Sequence, residues 1–170
     1  VNNPGSWEHI YSPLEHAHWN GCTPTDLIFP FFLFIVGLSV PFSLGKRRDH
    51  GEKTGKIMLK ILRRSALIFA LGLVFYLFPK FDFANMRIPG VLQRIAVVYF
   101  FISIIYLHTQ WKAQRNIAVI LLLGYWALMT LVPVPGYGPA NLEPDTNLAA
   151  WLDYQLMAGH MWLERSDPEG

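Results

Sequence analysis

Between Leu27 and Gly45 the chain carries no charged residue for nineteen positions. Wound as an α-helix, such a run is roughly 28 Å long, close to the hydrocarbon thickness of a bilayer. Just before it, from His16 to Asp26, two imidazoles, an indole, a carboxamide, hydroxyls and a carboxylate crowd together. Polar chemistry therefore sits at the mouth of a membrane helix, and that junction is the expected working end of the molecule.

The rest of the chain repeats the pattern. Further apolar spans are expected over 57–78, 88–108 and 117–134, next to the first at 27–45. With 52% hydrophobic and 15% charged residues, the composition is that of a membrane protein rather than a soluble domain. The expected fold is thus an all-α polytopic helical bundle with about four transmembrane helices. Pro30 and Pro41 fall near the ends of the first span, so neither is expected to break its middle. A net charge of +2 is too small to argue for nucleic acid, and the single Cys22 has no partner for an internal disulfide.

Where the charges fall is more telling than their sum. Segment 46–64, the expected basic cytoplasmic loop and helix start, holds eight of the fourteen Lys and Arg residues, and the short polar loop 109–116 adds Lys112 and Arg115. The segments 1–26, 79–87 and 135–170 together hold only Lys80, Arg87 and Arg165. The positive-inside rule then places both ends of the chain on the outer or luminal side. An outer loop is expected over 1–26, with Trp7, Tyr11 and Trp19 at the interface. The tail 135–170 reads as a second outer loop with a short amphipathic helix over Leu148 to Trp162. The chain opens at Val1 and closes on Asp167-Pro168-Glu169-Gly170, which reads as a piece of a longer membrane protein.

Several residues have chemistry that a plain membrane anchor does not need. His16 and His18 share one side of an extended segment, suiting interfacial anchoring, acid–base work or nucleophilic catalysis. His9, His16, His18 and Asp26 are too irregularly spaced for a metal site, and none is expected. Asp26 reads as a helix N-cap, as a carboxylate that orients an imidazole, or as a site for a cationic substrate. Gln93 and Arg94 fall inside a span, where a charge usually faces the bundle interior or a polar path unless it snorkels to the surface. Arg47, Arg48, Arg63 and Arg64 serve topology first and phosphate binding second. On these residues alone a membrane enzyme, a solute transporter or channel with Arg94 in its path, and a scaffold are comparable readings.

A resemblance separates them. HAHWNG…TPTDLIFPFFLFIVG, then RIPGVLQR (Arg87 to Arg94), LVPVPG (Leu131 to Gly136) and DPEG (Asp167 to Gly170) follow one another as in a known family. The chain resembles the transmembrane acyltransferase family that includes heparan-α-glucosaminide N-acetyltransferase, and VNNPGSW is similar to its bacterial branch. The resemblance implies transfer of acetyl from cytoplasmic acetyl-CoA to the amine of an amino sugar on the far side. It implies His16, not His18, as base or acetyl carrier, with Asn2 and Asp26 in the catalytic group. Arg94 and Gln93 would line the route of the acetyl-CoA arm, and Arg64 and Arg48 would meet its nucleotide end. Trp19 and Asn20 would face the sugar. A bacterial cytoplasmic membrane, rather than a lysosomal one, and a homodimer are the implied setting.

Overall fold

The computed structural model describes residues 9, 11–78 and 81–161. Asn2 and the Asp167–Gly170 motif lie outside them. Among the described residues the fold is all-α. A short 3-10 turn at Ser12–Leu14 precedes α1 (Ile28–Asp49), α2 (Thr54–Leu77), α3 (Val91–His108), α4 (Trp111–Leu131) and α5 (Leu148–Met157). An isolated bridge between Val134 and Gly138 is their only extended pairing. Helices α1, α3 and α4 are long and apolar enough to cross a membrane. Helix α2 has a comparable apolar half, but Lys56, Lys60, Arg63 and Arg64 occupy its first turns.

The helix ends differ from the sequence reading for identifiable reasons. Helix α1 runs through Pro41 and past Gly45 to Asp49, with Lys46, Arg47 and Arg48 in its last turn. Cations suit a helix C-terminus, where unpaired carbonyls carry partial negative charge. The basic segment is therefore mostly helix, and the connection to α2 shrinks to a turn at 50–53. Glu52 in that turn accepts from Lys60 Nζ at 2.9 Å and from Arg47 Nη1 at 3.5 Å, tying the two helices together. Helix α4 likewise starts at Trp111 and absorbs Lys112 and Arg115. At the start of α3, Ile88, Pro89 and Gly90 remain outside the helix, which begins at Val91.

Helices α1 and α2 both pack on α3. The core lies toward the basic turn, where Val40, Leu44, Ile57, Ile61 and Tyr99 bury one another. Two guanidinium groups close this end: Arg48 lies over the Tyr106 ring at 5.5 Å and Arg64 over Tyr99 at 5.0 Å. By contrast α4 buries no residue, and Leu122 on it is 72% exposed. An apolar helix so bare is at home in lipid, where its own backbone bonds satisfy every polar group.

The other end of α3 is held by close approach. Gly90 faces the Tyr76 ring and the Gln93 carboxamide, and a Cβ there would lie 2.6 Å from each. Its φ of −76° suits any residue, so space rather than conformation requires glycine. The ring cannot easily yield, because the Tyr76 hydroxyl accepts from Arg87 Nη1 at 2.7 Å. Gly90→Ala is expected to cost about 1–3 kcal/mol as overpacking. Thermal unfolding of the detergent-solubilised protein checks this, and an unchanged midpoint would show that α2 and α3 have slack here.

Candidate active site

The segment Thr23-Pro24-Thr25-Asp26 winds into α1 through a run of tight turns. Asp26 N–H donates to Thr23 O at 3.1 Å, Leu27 N–H to Pro24 O at 3.3 Å and Ile28 N–H to Thr25 O at 3.2 Å. This lead-in places the Asp26 carboxylate beside the start of the helix without capping it. The N-cap position is Leu27, which provides no side-chain cap.

Asp26 instead reaches back. Its Oδ2 accepts from Thr23 N–H at 2.8 Å, from the Thr23 hydroxyl at 3.0 Å and from Ala17 N–H at 3.3 Å. Its Oδ1 meets His16 Nδ1 at 2.7 Å. The Thr23 backbone N–H, then the His16 ring and the remaining donors, hold the Asp26 carboxyl well below the usual carboxylate range, against partial desolvation. An ionised carboxylate only accepts, so His16 Nδ1 carries the hydrogen and Nε2 is left as the acceptor. The imidazole is 57% exposed and its partner carboxylate 27%, which leaves the ring reachable while Asp26 is tucked behind it. An oriented, accessible imidazole backed by a carboxylate can take a proton or attack a carbonyl carbon.

The neighbouring residues separate clearly. His18 is exposed and stands outside the network. Trp19 donates from its indole nitrogen to Leu142 O at 2.8 Å, joining this loop to the segment after α4. Asn20 is exposed. Among the described residues no three of His, Cys, Asp or Glu gather in a metal-binding group.

A groove of about 480 Å³ opens between the start of α1, α2, α3 and α5. Phe29 and Leu33 of α1, Val97 of α3 and Met157 of α5 make its apolar walls, and Gln93, Arg94 and Asp153 bring polarity into it. Phe29 follows Asp26 by three residues, about one helical turn. Gln93 is 2% exposed, and among the described residues neither its Oε1 nor its Nε2 has a hydrogen-bond partner. A carboxamide so buried has an unmet donor and an unmet acceptor, which a polar ligand group would satisfy. Arg64 and Arg48 lie elsewhere. Their partners Tyr99 and Tyr106 follow Arg94 by five and twelve residues, roughly 8 and 18 Å along α3. The structure thus joins His16 to Asp26 and puts Gln93 and Arg94 in one groove, with the other two arginines further along α3.

Some participants give little sign of themselves in sequence. Asp153 and Met157 reach the groove only because α5 folds back over it, and nothing local marks them. Arg87 is 5% exposed and bonded to Tyr76; its place beside Ile-Pro-Gly before an apolar span was the available signal. Ile88 N–H donates to His160 O at 2.9 Å, and His160 Nδ1 lies 2.8 Å from Met86 O, fixing the end of the α5 segment over the start of α3.

Comparison with known proteins adds a family to this geometry. The family described as "Domain of unknown function (DUF5009)" matches residues 8–138, covering the His16–Asp26 loop and α1 to α4. Heparan-alpha-glucosaminide N-acetyltransferase of Homo sapiens is 31% identical over 167 residues, 84% of this chain and 25% of the human protein. The Mus musculus protein of the same name is 36% identical over 107 residues, 61% of this chain and 16% of the mouse protein. The chain thus spans about a quarter of the length of the human relative. With the match running through the polar loop and the apolar helices alike, the chain belongs to the family described as Domain of unknown function (DUF5009).

Proposed function

We propose that this chain supplies the reacting imidazole and part of the donor path of a transmembrane N-acetyltransferase. Acetyl would pass from cytoplasmic acetyl-CoA to the amine of an amino sugar on the outer or luminal side. The observation that carries this reading is the 2.7 Å contact between His16 Nδ1 and Asp26 Oδ1, in a family whose curated relatives are named as N-acetyltransferases.

The chemistry follows from the atoms. A neutral amine attacks the thioester carbonyl, an N–C bond forms, and the C–S bond breaks to release the thiol of CoA. His16 Nε2 takes the proton the amine loses and passes it to the departing sulfur, or Nε2 first accepts the acetyl group as the thiolate leaves, and the proton lost when the amine then takes the acetyl group ends on that sulfur. Asp26 keeps Nδ1 protonated and stabilises the ring as positive charge develops. Asn2 would polarise the carbonyl through its amide N–H. Trp19 and Asn20 would meet the sugar.

The groove suits the donor's arm. Its apolar walls fit a flexible chain, and the Gln93 carboxamide offers a donor and an acceptor to amide groups along it. Arg94 would help to line the same route. Arg64 and Arg48, stacked on Tyr99 and Tyr106, still have in-plane N–H donors for phosphate oxygens. With the basic turn at the cytoplasmic face, as the loop charges favour, the donor would enter there and reach across to His16. A bacterial cytoplasmic membrane and a homodimer fit this scheme.

The test is an acetyl-CoA-dependent assay in proteoliposomes against a panel of amino sugars. Transfer to free amines and none to their N-acetylated forms is expected. Uptake of solute in the absence of acetyl-CoA, without transfer, would favour a transport path through the groove instead.

A further inference from the structure

We propose that Thr23 is a positioning residue for the reacting imidazole, holding the Asp26 carboxylate from behind so that Oδ1 is kept for His16. The inference rests on the reading of His16 as the reacting group.

The geometry divides the two carboxylate oxygens cleanly. Oδ1 faces His16 at 2.7 Å, while Oδ2 takes the backbone N–H and the hydroxyl of Thr23 at 2.8 and 3.0 Å. Ala17 N–H adds a longer bond to Oδ2 at 3.3 Å. The terminal torsion of an aspartate is broad and close to two-fold, so a carboxylate held by one contact can rotate and exchange its oxygens. Two donors from a single residue on one oxygen oppose that rotation. They also stabilise the anion, which keeps Nδ1 of the imidazole as the donor.

Thr23 is prepared for this task by its own chemistry and by its neighbour. A β-branched side chain has few χ1 choices, so the hydroxyl does not wander. Pro24 restricts the backbone of the residue before it to extended conformations, which limits how the Thr23 N–H and side chain can move relative to each other. The Thr23-Pro24 pair is thus a stiff two-pronged donor. The hydroxyl is not required for the turn itself, which is closed by the backbone bond from Asp26 N–H to Thr23 O. Among the described residues, His16 is the titratable group bonded to this carboxylate.

The experiment compares the membrane-reconstituted protein with Thr23→Val, which keeps the shape and removes the hydroxyl, and with Thr23→Ser, which keeps the hydroxyl. Thr23→Val is expected to lower kcat for acetyl transfer about tenfold, with KM for acetyl-CoA within about twofold of the parent. Nitrogen NMR of labelled histidine should show the His16 ring losing its fixed Nδ1–H form, and carbon NMR should show the Asp26 carboxyl titrating closer to its ordinary range. Thr23→Ser, which keeps the hydroxyl without the β-branch, should restore most of all three readings. A Thr23→Val protein with the parent's kcat and the parent's His16 tautomer would overturn the proposal. So would a Thr23→Ser protein as impaired as Thr23→Val, because shape and not the hydroxyl would then be at work. His16→Ala, run alongside, keeps the two failures apart. Undiminished transfer without the imidazole would sink the catalytic reading, whereas a His16-dependent enzyme indifferent to the Thr23 hydroxyl would sink only this one.

Discussion

Replacing His16 with alanine is expected to lower acetyl transfer by about a thousandfold, in the middle of the range that one proton-transfer group supplies, while the protein still inserts in the membrane. The reasons lie in exposure and in partners. The imidazole is more than half exposed and buries little that the fold needs. Among the described residues its hydrogen bond is to Asp26, which retains three other donors on Oδ2 when the ring is gone. The stability cost should therefore be small, and the kinetic cost should appear in kcat. His18→Ala is the matched control, since that ring is exposed and outside the network, and it should retain most activity. The measurement is single-turnover transfer from radiolabelled acetyl-CoA, with thermal unfolding as the check on integrity. A His16→Ala protein that transfers acetyl at the parent rate would remove the imidazole from the chemistry. Incubation of the parent with donor but no acceptor separates the two roles of the ring. An acetylated enzyme trapped there would exclude direct transfer as the sole route.

The membrane character of the chain was legible because it needs only one fact, the length of the charge-free run from Leu27 to Gly45. The ends of the helices were less so. Reading a charge as the end of a span takes the bilayer as the only influence on the helix, yet Lys46, Arg47 and Arg48 are favoured by the C-terminus of α1 itself. The first turns of α4 are the same case, with Lys112 and Arg115 beside the Trp111 ring. Helix and hydrophobic span are different things, and basic residues end only the second.

At the candidate site the residue types were visible, and the pairing of Asp26 with an imidazole was one of several open readings. Gln93 and Arg94 stood out because a guanidinium inside an apolar run needs a reason. Asp26 stood out too, with capping, an imidazole partner and a cationic ligand all open to it, and the structure turns the carboxylate backward onto Ala17, Thr23 and His16. Nothing in the spacing distinguishes the two directions, because both use a carboxylate at a helix start. The α5 wall of the groove is a tertiary fact. It depends on Trp19 bonding to Leu142 and on His160 reaching the segment before α3, contacts between residues 123 and 74 positions apart.

Asp26→Asn is expected to be nearly as damaging as loss of the ring, with transfer down on the order of a hundredfold or more through a reversed tautomer. The direction is dictated by the donors behind the carboxylate. Two N–H groups and a hydroxyl point at Oδ2, so the amide oxygen introduced at this position will settle there. Its NH2 is then turned toward His16 Nδ1, which must accept, leaving the hydrogen on Nε2 where the amine proton should arrive. The parent carboxylate also sets the pH range of the network. Its folded pKa is depressed, so its bonds add to stability above the unfolded value of about 3.9 and fade only as pH falls through the lower folded value. The parent should accordingly keep the carboxylate ionised below about pH 3.9, where an ordinary aspartate is mostly protonated, seen as a carboxylate infrared band that Asp26→Asn lacks at every pH. Nitrogen NMR should report Nδ1–H in the parent and Nε2–H in Asp26→Asn. If the substitution left both the tautomer and the rate unchanged, the carboxylate would be a structural tie between the loop and α1, and His16 would have to be oriented by something else.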